Sequence, residues 1–124
     1  MSVGWLETTE AALNAVLGDY LERRGNGLAI EMAFYHQGAP LPMTEAAILA
    51  AHPRVGSRIV VCLHGMAETE SCWSFPREPA LSYGVLLHDE LGLTPFYLRY
   101  NSGLSIAQNG RDVPMYRRAA TRDP

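Results

Sequence analysis

The residues of this chain that could do chemistry lie mostly between Cys62 and Ser105. The run Arg58-Ile59-Val60-Val61-Cys62-Leu63 has the near-continuous branched apolar content of a strand covered on both faces, and it delivers His64-Gly65 to its carboxyl end. In open α/β sheets ligands sit at that end of the strands. A glycine there lets the backbone turn sharply. A backbone N–H presented by such a turn, that of Met66, suits the negative oxygen that forms during acyl transfer. His64, Gly65 and Met66 are therefore the candidate catalytic loop, against the plainer reading of a strand-to-helix turn with nothing bound.

The other reactive side chains argue for little. Gly103-Leu104-Ser105-Ile106-Ala107 is a near miss to Gly-x-Ser-x-Gly. A nucleophile elbow needs its serine directly after a strand with small neighbours, whereas Ser105 comes five positions after Tyr100 and precedes bulky Ile106. No histidine follows His88, so the order serine, acid, histidine also fails, and Ser105 reads as a solvated loop serine. Cys62 and His64 share one face of a regular strand, but no third group orients them, and a thiol in an apolar strand titrates high. Cys62 reads as a buried structural cysteine, and Cys72 as more exposed and without a partner. Cys62, His64, Cys72 and His88 match no zinc-ligand spacing, so neither a metal nor a cofactor is expected. His36 and His52 fall in a predicted turn and at a predicted helix end, and His88 flanks Asp89 and Glu90 on a charged helix face. Trp73, Phe75, Tyr97 and Tyr100 could line an acyl pocket, or serve only as packing.

The elements that must position these residues follow from periodicity. Leu13, Val16, Leu17, Tyr20 and Leu21 recur at helical spacing within a predicted helix Glu7–Arg24, which Gly25 can stop in the left-handed conformation. Residues 28–35 read as a strand, Gln37-Gly38-Ala39-Pro40 as a turn, and 41–43 as a brief return strand. Thr44 caps a predicted helix over 45–51. After the 58–63 strand come a polar loop to residue 79, a helix over 80–91 closed by Gly92, and a strand over 94–100. Strand, helix and strand in that order make a parallel βαβ unit. Residues 101–110 read as a loop, and 113–124 as an irregular Arg-rich tail broken at Pro114.

Composition narrows the function classes. The 124 residues carry 10 Lys+Arg against 13 Asp+Glu, a formal charge of −3 with no basic cluster, so nucleic acid is not the expected partner. The densest apolar run, Ile59–Leu63, is far short of the ~20 residues of a membrane span. Met1–Trp5 lacks the basic and apolar regions of a signal peptide. With only two cysteines, both expected as free thiols, a cytoplasmic protein is expected.

Arg58 to Trp73 resembles the strand and oxyanion-loop segment of α/β-hydrolases. Tyr97 to Arg111, with its Arg-Tyr-Asn and Asn-Gly-Arg, is similar to a bacterial lipase/esterase-like branch of that family, as is Arg23 to Ala29. The resemblance spans most of residues 20–111. It implies an α/β fold with an incomplete hydrolase-type sheet of about four strands, an amino-terminal helix and one βαβ unit in residues 1–112. It also implies an oxyanion role for the backbone around Gly65 and Met66. The family continues with Gly-x-Ser-x-Gly, an acid and a histidine, none of which this sequence supplies. The expectation is thus a truncated hydrolase fragment, inactive alone, whose partners are a small acyl or ester ligand and a complementing carboxy-terminal half. An alternative is an interaction module. The 58–63 strand would lack its next neighbour, and such an exposed edge pairs with a partner or with itself.

Overall fold

The computed structural model describes residues 3–25 and 27–121. The chain opens with α1 (Val3–Arg23), which ends where Gly25 takes φ 61°. Strand β1 (Ala33–His36) returns as β2 (Ala39–Pro40) through Gln37 and Gly38, whose φ values of 49° and 78° are both positive. Two left-handed central residues match the right-handed twist of a hairpin. The return strand is therefore 39–40, ahead of the expected 41–43, although Leu41 N–H still donates to the Phe34 carbonyl at 2.7 Å. Of the expected strand 28–35 only 33–35 pairs, continued by His36, because Asn14 takes the backbone groups of Leu28 and Ile30.

Helix α2 (Glu45–Ala51) starts where the Thr44 hydroxyl accepts the Ala47 N–H, as expected, and β3 (Ile59–Leu63) follows. The segment read as a polar loop holds more order. A 3-10 turn (Glu70–Trp73) leads into a small hairpin of β4 (Ser74–Phe75) and β5 (Glu78–Ser82). Helix α3 (Tyr83–Leu91) begins later than expected because Ser82 accepts the Val85 N–H at 3.1 Å and so fixes the cap, and Gly92 closes it at φ 66°. Strand β6 (Thr94–Arg99) precedes α4 (Ile106–Thr121). The expected irregular tail is corrected over 113–121, its last three residues lying outside the described ones: α4 crosses residue 112 and runs through Pro114, a proline that costs a helix one internal hydrogen bond.

The main sheet has the order β2-β1-β6-β3. β3 and β6 are parallel, with Val61 opposite Phe96 and Cys62 opposite Tyr97, while β1 runs antiparallel to β6. The fold is thus mixed α/β with four strands and the predicted parallel pair. β6 is central and the most buried, and β3 is an edge. Phe34, Phe96 and Leu98 form the core on one face, joined by Ile48 of α2, Ile59 and Val61 of β3, Tyr100 and Val113. On the other face Pro95 and Tyr97 receive α3 so closely that a Cβ on Gly84 would lie 1.9 Å from the Tyr97 hydroxyl.

The packing of α1 departs from its apolar periodicity. Its buried positions are Ala11, Asn14, Gly18 and Leu21, while Val16 is 82% exposed. The reason is close approach of two backbones. A Cβ on Gly103 would stand 1.8 Å from the Asn14 carbonyl oxygen, and one on Gly18 would stand 2.0 Å from Asn101 Oδ1. Buried Asn14 spends its side chain on the Glu10 and Leu28 carbonyls and the Ile30 N–H. Buried Asn101 donates to the Gly18 carbonyl and accepts the Gly103 N–H. Small and amide side chains hold this helix, each polar atom paired inside the protein.

Candidate functional site

β3 delivers His64, as the sequence predicts, but His64 is 3% exposed and is a fastener of the loop. Its ring stacks on Tyr100 with centroids 4.2 Å apart. Nε2 accepts the Tyr100 N–H at 3.1 Å, so the proton sits on Nδ1, which donates to the Gly65 carbonyl at 2.9 Å. The Tyr100 hydroxyl donates in turn to the His64 carbonyl. Burial pushes the imidazole below its ordinary pKa. With both nitrogens engaged, His64 is neutral and has no free base to offer.

The turn itself spans Gly65–Glu68, closed by Glu68 N–H donating to the Gly65 carbonyl at 3.3 Å. Its left-handed residue is Ala67, at φ 60°, where a type II turn favours glycine. Gly65 has no such φ, and a Cβ there would meet only ordinary contacts, the nearest 3.8 Å away at Glu68. The sharp turn expected of Gly65 therefore belongs to Ala67. The Ala67 N–H donates to the Ser102 hydroxyl at 3.1 Å.

A third tie lies further along. Arg99 grips Glu70 with two hydrogen bonds, Nε to Oε2 at 2.7 Å and Nη2 to Oε1 at 2.6 Å, with both side chains about nine-tenths buried. Its guanidinium also lies 3.9 Å from the Tyr35 ring centroid and 3.4 Å from Glu7. Glu70 and Glu7 hold that guanidinium's pKa above its usual value against the opposing cost of burial. One short stretch, Arg99, Tyr100 and Ser102, thus fastens Glu70, His64 and Ala67 in turn. Among the described residues the N–H groups of Gly65 and Met66 have no hydrogen-bond partner. Met66 is 73% exposed and borders a hollow of about 330 Å3, lined chiefly by Leu63, Tyr100, Leu104, Ile106 and Val113.

The remaining candidates disperse. Ser105 accepts the Gln108 N–H at 3.1 Å and so caps α4, which occupies its oxygen. Cys62 is buried, which raises its thiol pKa. Cys72 is exposed overall, yet local burial and the carboxylate of Glu68 push its thiol up to about 11. Both thiols stay protonated at neutral pH. Of the four aromatic residues only Tyr100 borders the hollow beside Met66. Trp73 and Phe75 pack on Tyr83, and the Tyr97 hydroxyl pairs with Ser82 at 2.7 Å.

The three remaining histidines are not the solvated surface residues expected. His52 closes α2 with its ring 5.1 Å from Phe96 and 5.2 Å from His36. His36, His52 and His88 border a separate cavity of about 560 Å3. Burial lowers the pKa of His52, and the nearby charges of His36 and His88 lower it further. No group of three or more His, Cys, Asp or Glu among the described residues could hold a metal ion, and no helix among them is long and apolar enough to cross a membrane.

Sequence reading missed the Arg99–Glu70 clamp, although a charged residue at the end of an otherwise apolar strand is a signal that a partner waits there. It also missed Asn14 and Asn101, whose roles depend on backbones brought together from distant parts of the chain. The chain matches no family model, no curated protein and no solved structure with which it was compared.

Proposed function

We propose that residues 58–102 supply the oxyanion-holding part of an acyl-transfer site of α/β-hydrolase type, esterase- or lipase-like. One observation carries this reading. The loop after β3 is fastened at His64, Ala67 and Glu70, yet the Gly65 and Met66 N–H groups between the fasteners are unspent, and Met66 borders an apolar hollow. Rigid, pre-aimed backbone donors stabilise a developing oxyanion without reorganising during the reaction. The hollow offers the acyl chain apolar surface.

Among the described residues none of the candidate nucleophiles is poised to attack. Ser105 is a helix cap, the thiols are protonated, and His64 has no free nitrogen. On this proposal the attacking group, its base and its acid come from outside the described residues, and the chain alone is expected to turn over no ester.

Titration of the 15N-labelled chain with octanoate tests the cradle. The Gly65 and Met66 amide resonances are expected to shift saturably while those of α3 stay fixed. Hydrolysis of a p-nitrophenyl ester that Ser105→Ala abolishes, or octanoate leaving both loop amides unmoved, refutes the proposal.

A further inference from the structure

The edge of the sheet carries a second message, argued from the β3 backbone and not from the hollow that Leu63 also borders. The Arg58 carbonyl accepts the Thr94 N–H at 2.9 Å. In a parallel ladder the bonding direction alternates residue by residue, so Val60 and Cys62 also turn their N–H and C=O toward β6. Ile59, Val61 and Leu63 turn theirs outward, where β3 has no neighbouring strand among the described residues. Natural edge strands are blunted by charge, proline or a bulge. β3 is Ile-Val-Val-Cys-Leu, with none of these.

We infer that β3 pairs antiparallel with β3 of a second copy of this chain about a two-fold axis at Val61, joining two four-stranded sheets into one. The register is self-complementary. Outward-facing Val61 meets its own equivalent, and Leu63 meets Ile59 of the second copy, so every outward N–H and C=O finds a partner. Charge selects the antiparallel sense. Arg54 and exposed Arg58 precede the strand and Glu68 follows it. Antiparallel pairing brings the basic end of one copy to the acidic end of the other, whereas parallel pairing sets arginine beside arginine. The register also sets Leu63, 48% exposed at the carboxyl end of β3, beside Ile59 of the second copy instead of water. Such an interface uses the same patch on both chains and closes at two.

The test combines mass with amide exchange on the full chain. Sedimentation is expected to show a species of twice the 13.6 kDa chain mass that dissociates on dilution. Leu63→Lys, at a half-exposed position, is expected to return the mass to that of one chain with an unchanged circular-dichroism spectrum. Hydrogen exchange of the unmodified chain keeps the proposal testable should that variant fold poorly. Amides 59, 61 and 63 become protected as concentration rises, while 60 and 62 are protected throughout. A monomer at all concentrations overturns the proposal. So does a dimer whose 59, 61 and 63 amides exchange freely, or association that continues beyond two.

Discussion

Replacing Glu70 with glutamine removes one charge from the Arg99 clamp and leaves its volume nearly unchanged. Arg99 then keeps a guanidinium whose side chain is 9% exposed, with Glu7 at 3.4 Å as its nearest carboxylate. Removing one member of a buried ion pair costs about 3–5 kcal/mol. The Tyr35 ring face at 3.9 Å and Glu7 recover part of that, so the low end applies, about 3 kcal/mol. With a urea slope of roughly 2 kcal/mol per molar, the unfolding midpoint falls by about 1.5 M. Trp73 lies in the same 3-10 turn as Glu70, so tryptophan fluorescence follows the transition at the site of the change. Pairing the substitution with Arg99→Met removes both charges, and this double variant is expected to recover at least half of the loss. A single-variant loss under about 1 kcal/mol, the size of an exposed pair, refutes the claim that this pair anchors the loop.

Three further outcomes follow from the same geometry. His64 and His52 have pKa values lowered by burial, so the unfolded chain binds the extra protons. Stability is full above about pH 6.5, declines as pH falls through that value, and levels off below the folded-state pKa values. Urea midpoints at pH 7.5 and 5.5 measure the decline, and His64→Gln should shrink it. Ala67→Gly relieves a left-handed alanine and should raise the unfolding free energy by up to about 1 kcal/mol, read from the same urea curves. Ser105→Ala should cost about 1 kcal/mol of stability through the lost cap, with fluorophosphonate labelling absent before and after the change.

The parts of the fold that depend on neighbours in sequence were legible. Apolar β3, the Thr44 and Gly92 helix ends and the parallel β3–β6 pair all follow from local composition. The β4–β5 hairpin was hidden because β4 is two residues long and residues 80–82 of β5 read as the start of the following helix. The buried face of α1 was misread for a different reason. Val16, Leu17 and Tyr20 carry the periodic signal, but α1 turns Asn14 and Gly18 inward, where Gly103 and Asn101 approach too closely for larger side chains. The candidate loop was found from His64-Gly65, while its fasteners lie some 30 residues away in sequence, as in the 35-residue separation of Ala67 and Ser102.

The amide grip on α1 has a consequence for the order of assembly. Its bond from Asn101 to Gly18 spans 83 residues, and neither helix nor loop can form it before the sheet has set the position of Asn101. Contacts so distant in sequence pay their loop-closure entropy late. The amino-terminal helix is therefore expected to dock last and leave first. Asn101→Ala, which removes that bond, should hasten unfolding in a stopped-flow chevron and leave the folding limb unmoved.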